Sequence, residues 1–253
     1  MANTTEVPVV DMTGYGLDVV NEDEVDTETV RSVADAICGA LRDVGFCYIK
    51  NHGIPQSLLW PDVENFESSV KEVYTQSHKL ALRILDLMSI GLKLDDKRFL
   101  RNCHKLISKK GNSTLMRNNF YPPITLDKEV KPKQARFGEH SDYGSLTLLY
   151  QDGVGGLEIR TLQGEYVPVV PIPDTVLINI GDLMQRWTSD TLMATKHRVL
   201  IPDDETKRRE FRQSTAFFIL PDEEVMIDCL DKSNKYDPVS SKDYLAMMLK
   251  PIY

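Results

Sequence analysis

The sequence is poor in cysteine, and its four cysteines (Cys38, Cys47, Cys103, Cys229) are scattered without a CxxC pair. That pattern fits free, mostly buried thiols in a reducing compartment rather than a disulfide framework. No apolar run approaches the roughly 20 residues that a membrane helix needs. Residues 1–10 lack a charged n-region and an apolar h-region, so no signal peptide is expected. Surplus positive charge is also missing. The net charge of -8 and the pI near 5.2 argue against a nucleic-acid partner, which would require a dense basic surface. The longest basic run, Lys207-Arg208-Arg209, sits among Asp203, Asp204, Glu205 and Glu210 and reads as a solvated loop. A cytoplasmic protein with no membrane partner is the expectation. No internal repeat or low-complexity tract is visible.

What is present points to a folded enzyme-sized domain. Hydrophobic residues make up 42 % of 253, enough for a sizeable core. The first half reads mostly helical and the second half mostly strand. Val7-Pro8-Val9-Val10-Asp11 reads as a short strand. A helix is predicted over residues 27–44, where Val30, Val33, Ile37, Leu41 and Val44 recur at helical spacing and Gly45 supplies a stop. A strand follows over residues 46–49. An amphipathic helix is predicted over residues 66–94 and another over 96–107.

Beyond Leu115 the period changes from 3.6 to 2. Strands are predicted at 146–150, 157–160, 166–170, 176–180, 197–201 and 213–219, separated by turn residues such as Gly155-Gly156 and Gly181-Asp182. Many short strands with such punctuation indicate a sandwich, barrel or jelly roll. Helices first and strands later give an α+β class, with helices backing one face of the sheet. No linker divides the chain. A single domain is expected: a mostly helical part over 1–115, a strand-rich core over 116–225 and a C-terminal extension over 226–253.

His140-Ser141-Asp142 is an H-x-D pair whose side chains, on extended backbone, project to one side. Alone it carries little, because five histidines and 38 acids give about 0.75 such pairs by chance. His197 opens an apolar strand 55 residues past Asp142, and a sheet that folds back on itself can bring the three together. Two imidazoles and one carboxylate form the facial triad of non-haem iron(II) oxygenases. Three ligands on one face leave three positions for cosubstrate and dioxygen. A structural zinc site would instead close four ligands, often cysteines, and none lies near these three in sequence.

Arg212 and Ser214 share one strand face. A guanidinium beside a hydroxyl suits a carboxylate. Asn118-Asn119-Phe120-Tyr121-Pro122-Pro123 offers an amide and a phenol before a proline turn. The ordinary alternative is a surface arginine and a buried tyrosine.

The motifs together resemble the isopenicillin N synthase-like branch of the iron(II)/2-oxoglutarate-dependent dioxygenases. They run in family order: Val7-Pro8-Val9-Val10-Asp11, Gly45-Phe46-Cys47-Tyr48-Ile49-Lys50-Asn51-His52-Gly53-Ile54 and Asn119-Phe120-Tyr121-Pro122-Pro123. Then come Gly138-Glu139-His140-Ser141-Asp142-Tyr143-Gly144-Ser145-Leu146-Thr147, Asn179-Ile180-Gly181-Asp182, His197-Arg198-Val199 and Arg212-Gln213-Ser214.

The resemblance implies a double-stranded β-helix, or jelly roll, backed by N-terminal helices. It carries iron(II) ligation to His140, Asp142 and His197. It carries the clamp for the distal carboxylate of 2-oxoglutarate to Arg212 and Ser214, with Tyr121 and Asn119 helping to hold that cosubstrate. Phe218, Tyr143 and Trp187 fall where substrate-lining residues occur. Ascorbate is a conceivable reductant, and a small molecule and dioxygen are the partners. His52 reads as structural, Asp182 as a turn former, and His78 and His104 as solvent-facing.

One departure stands out. After Gly53-Ile54-Pro55 the family continues for a long stretch, whereas here Gln56-Ser57-Leu58-Leu59 passes at once into Trp60-Pro61-Asp62 and the long helix. The join resembles an internal deletion. The leading expectation is an oxidoreductase that couples 2-oxoglutarate decarboxylation and dioxygen to hydroxylation or desaturation of a small molecule. The alternatives are a 2-oxoglutarate-independent iron oxidase and a shortened, non-catalytic metal- or partner-binding form.

Overall fold

The computed structural model describes residues 6–59, 63–124, 134–202 and 204–250. The first elements are β1 (Val9–Asp11), α1 (Thr27–Asp43), β2 (Phe46–Lys50), α2 (Phe66–Gly91) and α3 (Phe99–Asn102). The strand-rich region contains β3 (Leu115–Tyr121), β4 (Ala135–His140), β5 (Leu146–Gln151), β6 (Leu157–Arg160), β7 (Tyr166–Pro168) and β8 (Thr175–Ile180). It continues through α4 (Asp182–Trp187), β9 (His197–Leu200), α5 (Glu205–Arg208) and β10 (Arg212–Ile219). The chain then forms β11 (Met226–Ile227), β12 (Val239–Ser240) and α6 (Ser241–Leu249).

Two larger sheets face one another. One has six strands in the order β1-β2-β8-β5-β10-β3, the other four in the order β4-β9-β6-β7. This is the jelly roll, with α1 and α2 on the outer face of the larger sheet. Alternation along the strands explains the layering. Val176, Ile178 and Ile180 of β8 face the helices and join Ile37, Leu41, Leu80 and Ile84 in the main core. Leu177 of β8 points the other way and meets Leu157, Ile159 and Val199 of the smaller sheet. A strand buried on both faces reads as an unbroken apolar run, as 176–180 does apart from Asn179.

The helix α1 begins where Asp26 accepts a hydrogen bond from the Thr29 N–H at 2.8 Å. It ends at Asp43, and two residues on Gly45, whose φ of +77° suits glycine, lets the chain turn straight into β2. A Cβ there would also collide with the Met193 carbonyl and the Thr195 hydroxyl.

Several expectations need correction. The helix predicted over 96–107 is only α3, because beyond Asn102 the Cys103 N–H is shared between the Phe99 and Leu100 carbonyls, the His104 N–H turns to the Arg101 carbonyl three residues back, and the Asp222 carboxylate takes the Leu106 N–H at 2.9 Å. The long helix ends at Gly91, not 94. His104 is not solvent-facing but fully buried, with Nδ1 2.6 Å from the Leu100 carbonyl and Nε2 3.0 Å from the Ser145 hydroxyl. His78 is partly buried.

Strands β3 and β4 go beyond the strands that the sequence pattern predicts. The pairing of β4 with β9 shifts register twice, which breaks the period-2 pattern that sequence reading relies on. The C-terminal extension carries a small hairpin and α6, capped by the Ser240 hydroxyl accepting from the Asp243 N–H at 3.0 Å.

Between Pro55 and α2 lie two short 3-10 turns, Gln56–Leu58 and Val63–Asn65; Trp60-Pro61-Asp62 fall outside the described residues. Alongside them an open groove is lined by Leu58, Phe66 and Val70 together with Met116, Phe120 and Phe211.

Candidate metal and cosubstrate site

The register of β4 on β9 pairs His140 directly with His197. Their rings stand 4.2 Å apart, centroid to centroid. Asp142 follows β4 by two residues. Its Oδ1 lies 3.9 Å from His140 Nε2 and 3.8 Å from His197 Nε2. Each of the three residues offers one ligand atom, all within 4.8 Å of one another, and no other such His/Cys/Asp/Glu group exists among the described residues.

The surroundings orient all three. The Gly138 carbonyl accepts from His140 Nδ1 at 2.9 Å, and the Thr195 carbonyl accepts from His197 Nδ1 at 3.1 Å. With protons on Nδ1, both Nε2 lone pairs face the shared space. Burial and the neighbouring His197 push the His140 pKa down, so the ring is neutral at neutral pH, as ligation requires. The edge of Phe46 packs on His197 and Phe137 packs on His140. On Asp142, Oδ2 accepts from the Thr147 hydroxyl at 2.6 Å and from Asn179 Nδ2 at 2.8 Å, leaving Oδ1 toward the imidazoles.

Two glycines allow this loop to seat. A Cβ at Gly181 would strike the Gly144 backbone, and one at Gly144 would strike the Ile219 carbonyl. The close approach lets the Asp182 N–H donate to the Asp142 carbonyl at 2.7 Å. Asp182 opens α4; burial raises its carboxyl pKa, and it lies outside the three-ligand group.

The other end of the cavity is built by β10 and β3. Their register sets Arg212 against Tyr121 and Ser214 against Asn119. Arg212 is 1 % exposed, yet no carboxylate lies within ion-pair distance of it among the described residues. Its Nε donates to the Gly155 carbonyl at 2.8 Å and its Nη1 to the Ser214 hydroxyl at 3.3 Å, while the guanidinium carbon lies 5.2 Å from the Tyr121 ring centre. Burial lowers its pKa, but a guanidinium stays charged. Beside it, Gln151 Nε2 is buried without an acceptor. Asp152 is the nearby negative charge but lies beyond ion-pair distance, and a cation buried without an ion-pair partner is costly, so the pocket suits an anion.

His140, Asp142, His197, Arg212, Ser214, Tyr121, Asn119 and Phe218 all border one partly open cavity. Its apolar walls are Phe46, Phe137, Leu149, Leu157, Val199 and Phe218.

Comparison with known proteins agrees with this arrangement. The profile of the 2OG-Fe(II) oxygenase superfamily matches residues 112–221, and that of the non-haem dioxygenase in morphine synthesis N-terminal region matches 7–79. The chain belongs to the iron(II)/2-oxoglutarate-dependent oxygenases. It is 33 % identical over 200 residues to a 2-oxoglutarate-Fe(II) type oxidoreductase of Metarhizium majus, covering 73 % of this chain and 54 % of the relative. With a 2-oxoglutarate-dependent dioxygenase of Aspergillus rugulosus it shares 36 % identity over 176 residues, 67 % of this chain and 51 % of the relative. The chain therefore spans about half the length of the curated relatives it matches. A full-length Neurospora crassa protein, solved in complex with alpha-KG, superposes with a TM-score of 0.85 at 21 % identity, covering 99 % of this chain and 98 % of the other. Family members use iron(II) and 2-oxoglutarate, and a His/Asp/His donor set in one cavity with a buried arginine suits both. No helix among the described residues is long and apolar enough to cross a membrane.

Two of the expected substrate-lining residues are elsewhere. Trp187 is 1 % exposed and packs edge-on against Phe99 in the core beneath the helices, because α4 turns it away from the cavity. Tyr143 does not border the cavity either; its carbonyl accepts from the Leu183 N–H. His52 is structural as expected, its Nδ1 accepting from the Ile54 N–H at 3.1 Å. Sequence reading assigns no role to Thr147, Asn179 or Arg117. Asn179 carries a usable signal: a lone amide inside the run Val176-Leu177-Ile178-Asn179-Ile180 must find a partner when buried.

Proposed function

We propose that this chain is an oxidoreductase that couples oxidative decarboxylation of 2-oxoglutarate and dioxygen to the hydroxylation or desaturation of a small, largely apolar molecule. The observation that carries the reading is one cavity with the His140, Asp142 and His197 donors at one place and the unpaired Arg212 cation at another. His140, Asp142 and His197 would hold iron(II) on one face, and iron with 2-oxoglutarate supplies the oxidising chemistry. Arg212 and Ser214 would hold the distal carboxylate of 2-oxoglutarate, with Tyr121 and Asn119 beside them. The carbonyls of Gly138 and Thr195 keep both Nδ1 protons in place. Thr147 and Asn179 fix Asp142 so that only Oδ1 faces the metal position. The phenyl and aliphatic walls exclude water from the reacting centre and receive the substrate body.

A 2-oxoglutarate-independent oxidase is not favoured, since the relatives at 33 % and 36 % identity are both named for 2-oxoglutarate. The reading extends to a cytoplasmic protein without a nucleic-acid partner, supported by the net charge of -8. We also propose that the segment after Pro55 is shorter than in the relatives, and that the groove beside Phe66 is the space it leaves. The missing cover exposes Phe120 and Phe211, at 60 % and 53 %, a liability for solubility rather than for the donors themselves.

The test is aerobic turnover of 2-oxoglutarate by the whole chain. Succinate formation that requires iron(II) and disappears in His197→Ala is expected. A wild-type chain that binds iron and 2-oxoglutarate but yields no succinate would favour the non-catalytic form.

A further inference from the structure

We propose that Arg117 reads a carboxylate on the substrate, so that the chain acts on small apolar molecules carrying one acid group. This rests on the oxygenase reading of the same cavity. Arg117 lies on β3, two residues from Asn119 and four from Tyr121, and therefore on the same face. All three border the cavity that holds the donors. The alternate residues Met116, Asn118 and Phe120 point to the opposite face and border the outer groove.

The strand register places Arg117 closely. It pairs across to Ala216, which pairs on to Leu149. One pleat step toward the metal position is the row Leu115, Phe218, Thr147 and Asn179, whose last two members hold Asp142. One step the other way is the row Asn119, Ser214 and Gln151, next to Arg212. Each step is about 7 Å along a strand. Arg117 thus stands between the metal row and the cosubstrate clamp, at the sheet's outer edge, since β3 is the terminal strand. Ala216, paired with Arg117, is the smallest side chain that lines the cavity.

Arg117 is exposed, and no acid, hydrogen-bond acceptor or aromatic ring pairs with it among the described residues. Arg198, by contrast, is bound to Glu158, and Arg160 faces Glu139. Arg212 is set apart by burial and by Ser214. Asp142, the cavity's own acid, is committed to Thr147, Asn179 and the imidazoles. Of the charged side chains that line the cavity, Arg117 is the one without a partner among the described residues, and its planar fork matches a carboxylate. The cavity walls in its own row, Ala216 and Leu149, are apolar, as is Phe218 in the next row toward the metal position. A single cation among apolar walls matches one negative charge on a hydrocarbon body better than the double charge of a phosphate monoester.

The experiment measures binding, by anaerobic calorimetry, to the chain loaded with iron(II) and 2-oxoglutarate. The probes are a panel of aliphatic and aromatic monocarboxylic acids, each paired with its methyl ester. Acids that bind at least about tenfold more tightly than their esters are expected, in line with a charge-assisted hydrogen bond. In Arg117→Gln that preference collapses while the affinity for 2-oxoglutarate holds; Arg117→Lys retains part of it as a point charge. Acids that bind no better than their esters, or a preference that survives Arg117→Gln, would overturn the proposal. So would an Arg117→Gln variant that loses 2-oxoglutarate as strongly as it loses the acid, since Arg117 would then belong to the clamp. A wild-type chain that takes up neither iron nor 2-oxoglutarate is a different result, and it overturns the oxygenase reading on which the proposal rests.

Discussion

Thr147→Val isolates the part of the site that the ligands themselves do not show. Valine keeps the shape of threonine and removes the hydroxyl. Thr147 is 4 % exposed, so its hydroxyl is largely shielded from bulk water. Asp142 Oδ2 loses the 2.6 Å hydrogen bond and keeps the one from Asn179 at 2.8 Å. A hydrogen bond to a charged group contributes about 1.5–3 kcal/mol. Part of this reappears as a less stable apo fold, because the carboxylate is left under-satisfied whether or not metal is bound. The remainder appears as metal affinity, since the carboxylate is freed to rotate its Oδ1 away from the imidazoles. Loss of such an outer partner lowers metal affinity by about 10- to 100-fold. With Asn179 still in place, the lower end, about tenfold, is expected. Anaerobic iron(II) titration followed by calorimetry, with cobalt(II) as an air-stable check, measures it. If Thr147→Val binds both metals as tightly as wild type, the reasoning that Asp142 is held by its neighbours fails.

Other outcomes follow from the same structure. Arg212→Gln should weaken 2-oxoglutarate binding by about 10- to 100-fold with iron affinity unchanged, because a charge-assisted contact is removed at the far end of the cavity. Calorimetry with each ligand separates the two. Trp187→Ala should cost about 3–5 kcal/mol in denaturant unfolding while leaving the 2-oxoglutarate affinity of the folded fraction intact. A selective loss of cosubstrate binding would return Trp187 to the site. His104 gives a pH signature. Burial lowers its pKa from 6.5 to about 4, so the folded state resists a proton that the unfolded chain accepts. Its contribution is full above pH 6.5 and is lost as pH falls toward 4. The stability advantage of wild type over His104→Gln should shrink across that window; an advantage that is flat with pH would contradict the burial argument.

Much of this fold is legible in the sequence because most of its strands obey a clean rule. Residues 157–160 alternate as a strand and form one, and 27–44 carry a helical period that the structure follows to Asp43. The three donors are legible because His-x-Asp and a distant strand-opening histidine are rare in combination. What stays hidden has physical causes. Strand β4 is bulged where it meets β9, so its pattern does not alternate. The sequence misplaces Trp187 because one turn of α4 decides whether it faces the core or the cavity, and spacing does not fix that rotation. His104 reads as exposed because its second partner, Ser145, is brought to it only by tertiary packing. A lone arginine on an edge strand, such as Arg117, is usually a solvated charge; its meaning comes from the register with Ala216.

The central claim is that one chain binds iron(II) and 2-oxoglutarate at the same place. Anaerobic addition of both to wild type should produce the visible metal-to-ligand charge-transfer band of a keto acid chelated to iron(II). The band should be absent in Asp142→Ala and should need far more 2-oxoglutarate in Arg212→Gln. A wild-type chain that binds both ligands and shows no band, or a band that persists in Asp142→Ala, would contradict it.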